Sequence, residues 1–412
     1  MPGEVTLAHQ LGKDSMLVTG GSQVAYVLLE SKPTDLVAQV RMPLNFALVI
    51  DHSGSMKGAK LKNVKEAVKM VIDRLEPIDY ISVVIFDDTA QVIIPSMPAN
   101  DRPGMKAAID RILDAGGTTM SLGMTQGLGE LRRWSIPNAV SRMILLTDGV
   151  TYGDTDRCRQ LARDAAAAGI AIYPLGIGSD WDENLLDDIG QLSGGSPAEF
   201  IRKPDDAMTI LQQQIPSAVA VALRNATLTL SLPAGVSPRK AVKVLPLIRD
   251  LDQSALSDRR VIIPLGDLER DSPQSVLIEL MIDPRPAGLF RIAQVELTYD
   301  VPVAGLANER IRDNITVTFT QDANQASHVN ALVMNYAEKA NANRLVTRVL
   351  EEYKRTGKAT TKLAPNVTRV LDQETVAALE QINQGQQISP EQVKSIGNKT
   401  RKLTQRLDDL LP

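Results

Sequence analysis

At 412 residues the chain exceeds the usual domain size of roughly 100–200, so two or three domains are expected. Its 45 basic and 49 acidic residues give a net charge of −4 with no dense basic stripe, which excludes nucleic acid as the expected partner. The single cysteine, Cys158, excludes an internal disulfide framework and a cysteine zinc site, and it fits a reducing compartment.

The N-terminus, MPGEVTLAHQLGKDSMLV, lacks a basic start followed by an unbroken apolar stretch, and no run of about 18 apolar residues occurs. A cytoplasmic protein without membrane insertion is therefore expected. Residues 1–42 hold short alternating runs such as Gln23 to Leu29, too little to bury a core alone, and they are expected to pair with later strands.

Residues 43–216 alternate between the two periodicities. Apolar strand runs are Leu44 to Ile50, Ile81 to Phe86, Met143 to Thr147 and Ile170 to Leu175. Helical patterns fall at Val64 to Leu75, Met105 to Leu113, Leu122 to Trp134 and Asp156 to Ala168. Strands separated by helices predict an α/β fold with a doubly wound, mostly parallel sheet covered on both faces.

Residues 217–321 change to β-branched, alternating runs at Thr227 to Leu232, Val261 to Pro264, Val276 to Ile282, Val295 to Tyr299 and Ile315 to Phe319. These predict a β-sandwich into which the α/β unit is inserted. Residues 322–412 are predicted helical, with an apolar stripe from Val329 to Tyr353, a helix after Asp372 and another opened by Ser389, Pro390 and Gln392. The stripe is expected to pack on the sandwich.

Chemistry concentrates at Asp51-His52-Ser53-Gly54-Ser55, where one carboxylate and two hydroxyls follow the first apolar strand in a glycine-containing turn. In an open parallel sheet the carboxyl ends of strands near the switch in strand order form the ligand crevice. Gly116-Gly117-Thr118-Thr119 and Thr147-Asp148-Gly149 can end beside that loop. Together they offer two carboxylates and several hydroxyls, hard ligands that suit Mg²⁺ and disfavour zinc. Capping of the following helix would explain the first motif but not the convergence of three.

The ordered set Asp-x-Ser-x-Ser, a threonine after Gly-Gly and a distant Thr-Asp-Gly resembles the metal-ion-dependent adhesion site of von Willebrand factor A (VWA) domains, over residues 43–216. The strands LNFALVID, ISVVIFDD, RMILLTDG and AIYPLGIG are similar to that family too. The resemblance implies a Rossmann-like fold and a metal site of Asp51, Ser53, Ser55, Thr118 and Asp148, with Thr119 as the alternative threonine. It implies Mg²⁺, with Mn²⁺ or Ca²⁺ as alternatives, the serines binding directly and the second aspartate through water. The partner it implies is a protein presenting Asp or Glu. His52 is expected to be an exposed spacer and Lys57 a solvated lysine.

Enzymatic readings lack their residues. Aspartyl phosphotransfer would need an acid where Ser53 stands; there is no Gly-x-x-x-x-Gly-Lys-Ser/Thr and no His-Glu-x-x-His, and the only histidines are His9, His52 and His328. Cys158 is expected to be a buried structural thiol, and Trp134 and Trp181 packing residues. The expected function is a bacterial, non-enzymatic, metal-dependent interaction module. The alternatives are a regulatory or adaptor subunit of an AAA+ ATPase or kinase and phosphatase system, and an exported surface adhesin.

Overall fold

The computed structural model describes residues 3–38, 41–134, 136, 138–203, 206–207, 209–211, 218, 220–251, 256–257, 259–270, 272–361 and 363–405. The chain divides into two units, Val40–Val221 and the combination of Met1–Gln39 with Ala222–Pro412. Strands β1 to β3 are Val5–Leu11, Ser15–Leu17 and Gln23–Pro33; β4 to β9 are Leu44–Asp51, Tyr80–Phe86, Ala90–Pro98, Val140–Thr147, Ile170–Ile177 and Glu199–Ile201. Strands β10 to β17 are Val221–Ser231, Val236–Leu245, Arg249–Asp250, Leu256–Ser257, Arg260–Glu269, Gln274–Ile282, Gly288–Val301 and Leu306–Thr320.

Unit Val40–Val221 is a six-stranded sheet in the order β6-β5-β4-β7-β8-β9, parallel except for β6. Every residue of β4 is buried, as a strand covered on both faces requires. Helices Ala59–Arg74, Arg102–Asp110, Met120–Leu131, Thr155–Ala167 and Glu183–Leu192 connect the strands. Val49, Phe86, Met143 and Leu145 pack with Met120, Met124 and Leu128 in one core cluster. Gly127 allows that close approach, since a Cβ there would lie 2.5 Å from the Val49 Cγ2 methyl. The chain leaves β4 toward β5 on one side and returns through β7 on the other. The β4 and β7 carboxyl ends therefore flank the switch in strand order.

The second unit holds a five-stranded sheet, β1-β3-β15-β11-β12, and a six-stranded one, β13-β14-β10-β16-β17-β2. Val27, Leu29, Val276 and Ile278 of the first share a core with Leu228, Leu230, Val295 and Val317 of the second. On the other face of the five-stranded sheet, Leu28, Val242, Val244 and Leu277 pack against Val333, Tyr336 and Ala340 of helix Ala331–Thr356. Farther along that helix, Val346, Val349 and Leu350 pack with Leu379 and Ile382 of helix Gln373–Asn383 and Val393 and Ile396 of helix Pro390–Arg401. Asp372 caps the former through the Thr375 N–H at 2.8 Å, and Ser389 with Gln392 forms a reciprocal capping box on the latter. No helix among the described residues is long and apolar enough to cross a membrane.

Candidate metal centre

Parallel pairing sets the centre's frame. Ile50 lies opposite Leu146, so the next residues, Asp51 and Thr147, meet across the β4–β7 edge, and Asp148 follows immediately. The Thr147 hydroxyl donates to Asp51 Oδ2 at 2.6 Å, and the Ser53 N–H donates to Asp51 Oδ1 at 2.9 Å. Asp51 is fully buried; burial holds its carboxyl above the usual aspartate range, the bonds from Ser53 and Thr147 oppose this, and the charge of Asp148 adds to it. A carboxylate oxygen with one bond keeps a lone pair for a further ligand.

The hydroxyls converge beside this frame. Ser53 Oγ and Ser55 Oγ are 3.0 Å apart, and Ser55 Oγ donates to Asp148 Oδ1 at 2.7 Å. Ser53 is buried and Ser55 is exposed, so the cluster opens to solvent through Ser55. Thr118 Oγ1 faces the same loop: a Cβ built on Gly149 would lie 3.8 Å from it and 3.9 Å from Ser55 Oγ. Thr119 instead occupies the cap position of helix Met120–Leu131, with its N–H on the Asp87 carbonyl at 2.8 Å. All five residues picked out in the sequence, Asp51, Ser53, Ser55, Thr118 and Asp148, thus border one spot.

Residues that the sequence reading passed over hold the loops in place. The Gly117 N–H donates to Asp88 Oδ2 at 2.9 Å, and Gly116 sits at φ +65 where a Cβ would strike the Asp87 side chain at 2.6 Å. Thr151 Oγ1 accepts the Met120 N–H at 3.0 Å and Asp154 Oδ2 accepts the Ser121 N–H at 2.7 Å, which ties the loop after β7 to the start of that helix. Lys60, at the start of helix Ala59–Arg74, ion-pairs with Asp148 Oδ2. Its position nine residues after Asp51 on the adjoining helix was the available signal.

Two expectations are corrected. His52 is buried at 8% exposure rather than an exposed spacer, because its N–H bonds the Phe86 carbonyl at 3.1 Å and its Nδ1 lies 2.8 Å from the Leu113 carbonyl. The helix read over Leu122 to Trp134 ends at Leu131, so Trp134 lies beyond it, half exposed, though it still packs on the Tyr80 ring at 6.3 Å with Nε1 donating to the Ser96 carbonyl at 2.8 Å. Trp181 is buried, Lys57 is exposed, and Cys158 is fully buried with its thiol pushed up to about 12 by burial and by Asp154, so it is not nucleophilic.

The donor chemistry fits a hard divalent cation. Among the described residues no group of three or more His, Cys, Asp or Glu could hold a metal ion, so hydroxyls must complete any shell here. Two carboxylates with three hydroxyls are oxygen-only and too few to fill a coordination number of about six.

Residues 45–215 match the model of the von Willebrand factor type A domain. An uncharacterized protein of Synechocystis sp. is 35% identical over 277 residues, 65% of this chain and 64% of that one. Inter-alpha-trypsin inhibitor heavy chain H1 of Sus scrofa is 30% identical over 220 residues, 48% of this chain and 24% of that one. The chain thus spans under two thirds of the first relative and about a quarter of the second. Among solved structures, a von Willebrand factor type A protein from Catenulispora acidiphila superposes with a TM-score of 0.78 over 97% of both chains at 20% identity, a likeness of fold. Residues 45–215 therefore form a von Willebrand factor type A domain.

Proposed function

We propose that the chain is a non-enzymatic, cytoplasmic interaction module of bacterial type that binds Mg²⁺ at Ser53, Ser55 and Thr118, with Asp51 and Asp148 behind them, and grips an acidic side chain of a protein partner. The observation that carries this reading is the continuous chain of contacts from the buried Ser53 Oγ through the exposed Ser55 Oγ to the buried Asp148 Oδ1. The bound ion would supply an electrophilic position that the protein's own oxygens leave incomplete.

Lys60 supports the same reading. Two carboxylates and one ammonium give the centre a single negative charge, and a divalent cation turns that into a single positive one. A carboxylate from outside neutralises it in a shell that the protein's hydroxyls cannot. With Asp51 already bonded by Thr147 and Ser53, the protein side is organised before any partner arrives.

An affinity capture from the native organism tests this, run with Mg²⁺, with chelator, and with Asp51→Ala as bait. A partner retained by the wild type in Mg²⁺ and lost in both other arms is the expected result. A partner list indifferent to chelator and to the substitution would contradict it.

A further inference from the structure

Single exposed apolar residues are ordinary, but their clustering is informative. Among the described residues of Val40–Val221, six large apolar side chains are exposed: Ile78, Leu113, Leu122, Trp134, Val150 and Tyr152. Ile78 precedes β5, and Trp134 packs against Tyr80 at that strand's start, which puts both at the amino end of the sheet. The other four lie on the segments that build the metal centre at the carboxyl end. Leu113 is 76% and Tyr152 79% exposed.

These side chains are held outward by their backbones. Thr151, between Val150 and Tyr152, is buried, and its hydroxyl accepts the Met120 N–H and lies 3.2 Å from the Thr118 carbonyl. The Leu113 carbonyl is fixed 2.8 Å from His52 Nδ1, next to the loop in which the Gly54 N–H meets the Gly116 carbonyl at 3.2 Å. Leu122 follows Ser121, whose N–H is held by Asp154. Thus Leu113 stands on the Gly54–Gly116 side of Ser55, while Val150 and Tyr152 stand on the Asp148–Gly149 side.

On this basis, and resting on the metal-dependent reading above, we infer that the partner is a protein segment whose Asp or Glu is flanked by aliphatic or aromatic side chains. The acid meets the ion and its neighbours cover Leu113, Val150 and Tyr152, a polar anchor inside an apolar ring of the kind that concentrates binding energy. A free small carboxylic acid would leave those side chains in water.

The test uses the full chain on an immobilised peptide library with a fixed central Glu and randomised flanks, read in Mg²⁺ and in chelator. The same library is read with the double variant Leu113→Ser, Tyr152→Ser, whose Mg²⁺ affinity is measured separately by calorimetry. Mg²⁺-dependent binders enriched in Leu, Ile, Phe or Tyr beside the Glu are expected, with about tenfold or greater weakening in the variant at unchanged Mg²⁺ affinity. Mg²⁺-dependent binders with no flank preference, or undiminished binding by the variant, overturn the apolar ring and leave the metal reading standing. Binding that ignores chelator, or no binding at all, overturns both.

Discussion

Asp51→Ala is expected to weaken Mg²⁺ binding by about a hundredfold or more while the chain stays folded, as read by calorimetry and thermal melting. Asp51 is the carboxylate to which both Thr147 Oγ1 and the Ser53 N–H are tied, so its loss removes charge and also releases the serine turn. Two donors lose an acceptor, which costs about 1–3 kcal/mol each where no water reaches them. A compensating gain follows from burial. The folded pKa of Asp51 lies above its unfolded value, so its contribution to stability is present at low pH and is lost as pH rises through the folded pKa. Wherever it is ionised, the desolvated carboxylate is a burden that the variant sheds. Mg²⁺ at about 100 Kd should stabilise the wild type by about 2.7 kcal/mol and leave the variant's melting unchanged. An unaltered Mg²⁺ affinity in the variant would remove Asp51 from the centre.

Lys243→Met is expected to stabilise the sandwich unit by about 2–4 kcal/mol at neutral pH. Lys243 projects from β11 on the same side as Ala241, a member of the core shared by the two sheets, while Val242 and Val244 face the helical side. Its ammonium reaches the Leu265 carbonyl of β14 at 3.4 Å, and no carboxylate is paired with it among the described residues. Burial, aided by the Arg249 charge, lowers its pKa from 10.5 to about 7. The unfolded chain therefore holds more protons between about pH 7 and 10.5, and wild-type stability climbs with pH across that window. The advantage of methionine should be largest below pH 7 and shrink toward pH 10.5. Urea unfolding at pH 6 and pH 9.5 checks both size and direction; equal stability of the two proteins at pH 6 would show that the ammonium is solvated.

The parallel α/β elements were legible in the sequence because their signals are local, and the loops of the candidate centre because each carries its own short motif. Asp51, Ser53 and Ser55 fall within five residues, and the near-continuous apolar runs of β4 and β7 announce strands covered on both faces. Strands β6 and β11 escaped because each carries a proline and pairs irregularly. Pro95 and Pro98 interrupt β6, whose partner β5 shifts register twice, and Pro238 sits beside a shift in β11. His52 was misjudged because nothing in its own segment shows that Leu113 will arrive to accept its ring.

The remaining supports of the centre depend on long-range pairing. Thr147 stood in the sequence motif, but its bond to Asp51 follows only when β4 is laid against β7 in register, and Lys60 becomes visible only when helix Ala59–Arg74 turns it back onto Asp148. Thr151 and Asp154 read as ordinary loop residues until the N–H groups of Met120 and Ser121 are found on them.

The most direct measurement is the anomalous scattering of a crystal of the full chain soaked in Mn²⁺. One strong peak is expected within about 2.5 Å of Ser53 Oγ and Ser55 Oγ and close to Thr118 Oγ1, absent from an Asp51→Ala crystal. No peak at these hydroxyls, or a strong peak elsewhere in the domain, would contradict the metal reading.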